Sequence, residues 1–350
     1  MLTCKNLALT AIAACLLATT AFAADTAAPQ LIDGATYTQP QQMVEVEPGR
    51  RLNLHCAGAG SPTVVFESGL GAPLSNWGFV QPVVAQKIRT CAYERAGLGF
   101  SDAATRASDS KNIVDDLHRL LVAASIKPPY VLVGHSYGGM TVRLYADTYP
   151  SEVVGMVLVD PTVEDAVEAY RAIDPKKRSA AQWNEEITER DIRDAKACVI
   201  AASAGLAPGS ELFKKCVSDP VAQYSEAVNA SNQRQEMRLA TQQAGASEIE
   251  QVFRSSADQV RSARHSSSNL PLVVLTASRP PPKIPFAPEE QERRAARFRV
   301  DVALRDAVAK LSVRGVNEIV LNTGHYIQLD RPQAVIDAIT RVVVMAQDAQ

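Results

Sequence analysis

The stretch from Tyr130 to Gly139, Tyr-Val-Leu-Val-Gly-His-Ser-Tyr-Gly-Gly, limits what this chain can fold into more than any other. Its apolar run, Tyr130 to Val133, leads directly into Gly134-His135-Ser136-Tyr137-Gly138, and a stretch of helical character, Met140 to Tyr149, follows at once. A short apolar run bounded by glycine predicts a buried strand. Ser136 therefore falls on a tight turn between a strand and a helix. Gly134 and Gly138 predict that the turn packs backbone against backbone, where a Cβ would not fit. The N-terminus of the following helix favours negative charge beside the serine. The pattern G-x-S-x-G by itself arises by chance in roughly one chain in ten of this length. Its strand-before, helix-after context is what gives it weight.

The remaining texture extends that unit into a larger sheet. Met43–Val46 and Arg51–Cys56 predict an antiparallel pair around Pro48-Gly49, and Thr63–Phe66 and Thr90–Tyr93 predict buried strands. Asn112–Ala124 carries Ile113, Leu117, Leu120 and Leu121 at helical spacing. Val153–Val159 is a continuous apolar strand ending in Asp160-Pro161. From about 162 to 268 the chain turns charged and rich in Ala, Gln, Glu and Arg, which predicts several helices and no strand. Strand texture returns at Leu272–Leu275 and at Glu318–Leu321, with helices expected over Gln291–Leu311 and Val335–Met345. Apolar strands alternating with helices imply a mostly parallel sheet covered on both faces. The expected organisation is a core from 24 to 161, a helical insertion from 162 to 268 and the rest of the core from 269 to 350, with the first residues to about 42 a loose arm.

Residues 1–23 read as an export signal: Lys5 supplies the positive start, Leu7–Ala18 the apolar centre and Ala21-Phe22-Ala23 the cleavage site. Ile12-Ala13-Ala14-Cys15 also resembles a lipobox, so anchoring through Cys15 is the alternative to cleavage after Ala23. A periplasmic or secreted location is expected, and no later segment is long and apolar enough for a transmembrane helix. Cys4 and Cys15 leave with the signal, and Cys56, Cys91, Cys198 and Cys216 can pair in three ways. Cys198–Cys216 would staple the helical insertion and Cys56–Cys91 would join two strands expected to be neighbours. Their spacing lacks paired C-x-x-C, so no metal and no cofactor is expected. The formal net charge of −2, without a basic run, argues against nucleic acid or an anionic membrane surface as a partner.

Four motifs, in order, make the chain resemble the α/β-hydrolase superfamily, specifically its lidded, serine-dependent, esterase-like members. Phe66-Glu67-Ser68-Gly69-Leu70-Gly71 stands where that family has its His-Gly oxyanion loop. Tyr93-Glu94-Arg95-Ala96-Gly97-Leu98-Gly99-Phe100-Ser101 is similar to its Y-D-R-x-G-x-G-x-S. The third motif is the Ser136 turn, and the fourth is Gly324-His325-Tyr326 with Asp330-Arg331-Pro332. The resemblance covers about residues 43 to 347 apart from the insertion. It implies a mostly parallel sheet with helices on both faces, a helical lid, and hydrolysis at Ser136.

A serine nucleophile needs a base. His325 follows an expected strand and precedes the last helix, so it is the candidate; His135, next to the serine, should point the other way and be structural. His118 reads as a surface residue, His55 lies far from the site, and His265 falls on a solvated helix or at the cleft. The superfamily usually places the acid after the strand that follows the lid, but here Thr276-Ala277-Ser278-Arg279-Pro280 contains no carboxylate. Asp160, at the end of the preceding strand, takes the role, as the Asp-Pro of pancreatic-type lipases does in that place; Glu164 and Asp165 are the fallbacks. Asp330 reads as structural. The main-chain N–H groups of Tyr137 and Leu70 are the expected oxyanion donors.

The resulting expectation is an exported carboxylesterase acting on a small or medium ester through acyl-Ser136. A peptidase, lactonase or C–C hydrolase on the same triad, and a binding protein that kept the fold, are the alternatives. The insertion has few aromatics (Tyr170, Trp183, Phe213, Tyr224, Phe253), a poor match to the broad apolar patch a triglyceride surface requires.

Overall fold

A computed structural model describes residues 34–265, 269–279 and 286–348. The expected signal, its cleavage site and the Cys15 motif lie outside these residues. Eight strands form one sheet in the order β1-β2-β4-β3-β5-β6-β7-β8. They are β1 Gln42–Glu47, β2 Arg50–Ala57, β3 Thr63–Glu67, β4 Thr90–Tyr93, β5 Tyr130–His135, β6 Val153–Val159, β7 Leu272–Ala277 and β8 Gly315–Val320. β1 and β2 pair antiparallel, as does β2 with β4, and the pairings from β4 through β3 to β8 are parallel.

Alternation along the central strands places apolar side chains on both faces. From β5, Tyr130 and Leu132 join a core with Leu117, Leu120, Val142 and Val260, while Val131 and Val133 join another with Trp77, Val335, Ile339 and Val342. The first face is covered by helices Ser110–Ala123, Tyr137–Thr148 and Ser255–Ala263, and the second by Pro332–Gln347. This two-sided burial explains why the parallel strands read as unbroken apolar runs. β8 behaves differently. It begins at Gly315, three residues before the expected start at Glu318, and no residue of it is fully buried. As an edge strand it needs no continuous apolar run, so the run Ile319–Leu321 marks only its end.

Between β6 and β7 the described chain is helical: Ala166–Ala172, Ala180–Trp183, Asn184–Glu189, Arg190–Ser203, Glu211–Cys216, Glu226–Glu236, Leu239–Gln251 and Ser255–Ala263. Both expected disulfides are present. Cys56 and Cys91 face each other across β2 and β4, and Cys198–Cys216 ties Arg190–Ser203 to Glu211–Cys216. Beside the second, Ala201, Leu206 and Val217 form a small separate core.

Register aligns the functional ends of the strands. Glu67 at the end of β3 pairs with Gly134, and His135 at the end of β5 pairs with Val159. The loops after β3, β5 and β6 therefore emerge at one edge, the place where parallel sheets bind ligands.

Candidate active site

Ser136 follows β5 with φ 51° and ψ −119°, a strained conformation for a residue with a side chain. Two glycines permit it. A Cβ on Gly134 would lie 2.5 Å from the Gly138 carbonyl, and one on Gly138 would lie 2.5 Å from the carbonyl of Glu67. The Ser136 N–H donates to Val159 at 3.0 Å, and its carbonyl accepts from Gly139 and Thr162 at 2.9 Å each. Three backbone hydrogen bonds and two glycine close approaches thus fix the turn while the hydroxyl lines a cavity.

Ser136 Oγ lies 2.9 Å from His325 Nε2, and His325 Nδ1 lies 2.6 Å from Asp160 Oδ2. The Nδ1–H donates to the carboxylate, which leaves the Nε2 lone pair facing the serine hydroxyl. Asp160 is 1% exposed. Its other oxygen accepts from the Ala277 N–H at 2.9 Å and faces Arg305 Nη1 at 3.0 Å. Burial alone would raise the Asp160 carboxyl; the His325 hydrogen bond, the Arg305 cation and the Ala277 N–H together hold it below the usual carboxylate range. The stretch after Leu275, where the sequence offers no carboxylate, thus supplies a backbone donor to Asp160 from Ala277, the last residue of β7.

His325 is pinned through its backbone as well. His135 Nε2 donates to the His325 carbonyl at 3.0 Å, and Asp330 Oδ2 accepts from the Gly324 N–H at 2.7 Å. His135 Nδ1 is buried without a partner, which suits an unprotonated nitrogen. Burial, helped by the neighbouring His325, pushes His135 down to about 3.

The fallback acids sit elsewhere. Glu164 is clasped by Arg143 at 2.7 and 2.8 Å, and Asp165 faces Arg261 at 3.0 Å. His118 is half-buried and stacked on Tyr149 with Nε2 3.2 Å from Glu152, while exposed His265 faces Asp147 at 3.3 Å. Neither touches Ser136. His55 is half-buried on β2, three strands from β5 in the sheet order.

The Tyr137 N–H opens its helix, where first-turn donors have no intrahelical acceptor. The loop after β3 packs on the turn: a Cβ on Gly69 would lie 3.3 Å from Ser136 Cβ. This brings the loop that carries Leu70 against the Ser136 turn. A network not foreseen from sequence holds the loop. Arg95 donates to the carbonyls of Ser68 and Gly69 at 2.7 and 2.6 Å and meets the buried carboxylates of Glu67 at 2.5 Å and Glu248 at 2.7 Å. Glu248, on the insertion helix Leu239–Gln251, also accepts from the Gly71 N–H at 2.7 Å. Arg305 and Glu248 carried no local signal: each lies on a helix far along the chain from its partner.

Two cavities meet at His325. One of about 310 Å³ contains Ser136 with Tyr170, Phe253, Arg279, Arg297 and Arg305. The other, about 420 Å³, contains Leu70, Tyr224, Glu236 and Tyr326. Three of the five insertion aromatics therefore line cavities, while Phe213 packs in the small insertion core and Trp183 lies under Arg178. Among the described residues no cluster of three His, Cys, Asp or Glu side chains could hold a metal ion.

Residues 62–275 match the model of the alpha/beta hydrolase fold family. The chain belongs to that family. Among solved structures, this α/β-hydrolase resembles the epoxide hydrolase CorEH (TM-score 0.62, 18% identity, 86% of this chain and 96% of that one). It also resembles a putative lipase from Acinetobacter baumannii (TM-score 0.59, 18% identity, 90% and 94%). In sequence it is 35% identical over 111 residues to the uncharacterized protein YqjL of Bacillus subtilis, covering 32% of this chain and 44% of that protein. It is 34% identical over 114 residues to 2-hydroxymuconate semialdehyde hydrolase of a Pseudomonas species, covering 32% and 40%. The matches thus span less than half the length of these relatives.

Proposed function

We propose that the protein is an exported serine hydrolase that cleaves a small or medium carboxylic ester through an acyl-Ser136 intermediate. The observation that carries this reading is the continuous line from Ser136 Oγ to His325 to Asp160, at 2.9 and 2.6 Å. Ser136 Oγ attacks the ester carbonyl while His325 Nε2 takes its proton. The carbonyl oxygen becomes an oxyanion, received by the N–H groups of Tyr137 and Leu70. The intermediate collapses, the C–O bond breaks, and the alcohol leaves with the proton from His325. Water, deprotonated by the same nitrogen, then attacks the acyl-serine and releases the acid. Asp160 holds the imidazole in the required tautomer throughout, and Arg305 and Ala277 keep its carboxylate ionised.

On this reading the helical insertion is a lid whose Tyr170, Phe253 and Tyr224 help set substrate choice. Cavities of a few hundred cubic ångströms favour compact substrates over long acyl chains. Export is supported by the two disulfides, and among the described residues no helix is long and apolar enough to cross a membrane. The 2-hydroxymuconate semialdehyde hydrolase relative favours a second reading, cleavage of a C–C bond by the same residues.

The test is a panel of short esters, lactones, anilides and 2-hydroxymuconate semialdehyde offered to wild-type and Ser136→Ala protein. Ester hydrolysis should lead the panel and fall about a millionfold in the variant. A variant retaining more than a tenth of the activity would sink the proposal. Preference for 2-hydroxymuconate semialdehyde would favour the second reading.

A further inference from the structure

We infer that the substrate carries an anionic group, in the simplest case a carboxylate, on the side of the site walled by Arg279 and Arg297. This rests on the reading of Ser136 as an acyl-transfer nucleophile.

The two cavities at His325 differ in charge. The one holding Ser136 is lined by Arg279, Arg297 and Arg305 against Asp160 and Asp301. Arg305 is committed to Asp160 at 3.0 Å. Asp301 accepts the Tyr170 hydroxyl, and the Arg297 guanidinium lies over the Tyr170 ring at 4.4 Å. Among the described residues no carboxylate lies within 4.0 Å of the guanidinium of Arg279 or Arg297. Arg279 lies two residues past the end of β7, and its N–H donates to the Thr323 carbonyl at 2.9 Å, two residues before His325. Its backbone is thus tied to the loop of the catalytic base, and its cation faces the same cavity as the serine.

The opposite cavity is lined by Asp219, Glu236 and Asp330 and, among the described residues, by no lysine or arginine. An anion placed there meets carboxylates; placed on the other side it meets a guanidinium whose planar donors match a carboxylate. A neighbouring cavity shares Arg279, Arg297 and Asp301 and adds Arg293 and Arg294, both paired with Glu290, so arginines outnumber carboxylates four to two on the approach as well. In a chain of formal net charge −2 this excess is local to the site. The anion can belong to the acyl or to the alcohol portion of the ester.

The experiment measures kcat/KM for matched pairs on the full-length protein. Monoethyl glutarate against ethyl pentanoate tests an anion on the acyl side; 4-acetoxybenzoate against phenyl acetate tests one on the alcohol side. The charged member of at least one pair should be preferred about tenfold, mainly through KM. That preference should shrink in high salt and collapse in Arg279→Gln/Arg297→Gln. Arg299→Gln, on helix Pro288–Ala309 with Arg297 but paired with Glu292, should keep the wild-type ratio. Equal use of neutral and charged esters, or a preference that survives the double substitution, overturns the inference. Labelling of Ser136 by a fluorophosphonate separates the two failures. Labelled wild-type protein without a charge preference refutes only the anion site. Unlabelled protein refutes the serine mechanism and the anion site with it.

Discussion

Asp160 and Glu248 are each 1% exposed, each faces an arginine, and each supports one half of the site. Asp160 comes from the sheet edge and orients the histidine. Glu248 comes from the insertion and holds the loop expected to bind the oxyanion. The first directly follows the apolar strand β6, in Val157-Leu158-Val159-Asp160-Pro161, so the strand's end places it at the same edge as Ser136. The second lies 177 residues from Gly71 on a helix with no distinguishing pattern. The sheet supplies chemistry through local motifs; the insertion supplies support through contacts that only the folded chain creates. Glu248 ties the insertion to the loop after β3, because its carboxylate accepts from the Gly71 N–H.

The largest effect that can break this comparison is expected at Asp160. Asp160→Asn should preserve the fold and cost about ten-thousandfold in kcat by favouring the wrong tautomer. Near-normal turnover in steady-state assays would remove Asp160 from the triad. A large loss in Glu164→Gln alongside it would transfer the role, although Arg143 now holds that carboxylate.

Glu248→Gln should have a smaller effect, about 10- to 100-fold on kcat with KM largely kept, because loop misplacement weakens transition-state binding more than ground-state binding. The measurement is made on protein shown to be folded, since a buried Arg95 left with one carboxylate also destabilises. Unchanged kcat would reduce Glu248 to a structural pin.

The smallest effect concerns His135. The unfolded chain binds a proton near the ordinary value of 6.5, and the folded one only at about 3. Stability from the neutral imidazole is therefore fully present above pH 6.5 and is lost as pH falls toward 3, at up to about 1.4 kcal/mol per pH unit. His135→Gln, which keeps a donor for the His325 carbonyl, should flatten that slope in denaturant titrations across the window. An unchanged slope would mean that other groups dominate acid unfolding.

Much of the site was legible because its parts lie at strand ends. The Ser136 turn, the His325 loop and Asp160 each follow an apolar run whose length and position define the geometry. Even the absence of a carboxylate after Leu275 was informative, since the Ala277 N–H in that place now serves Asp160. Arg305, Glu248 and Arg279 were not legible. Their roles depend on which helix face or loop end points at the site, and neither periodicity nor spacing encodes that. β8 was misplaced for a related reason: at the sheet edge, backbone pairing sets the strand and burial contributes little to its pattern.

The most direct test of the central claim is rapid-quench peptide mass spectrometry during turnover of p-nitrophenyl acetate. The account predicts an acetyl group on the peptide containing Ser136, formed in a burst and lost at the rate of steady-state turnover, and absent from Ser136→Ala. Turnover without that adduct, or an adduct on another residue that accounts for the burst, would contradict it.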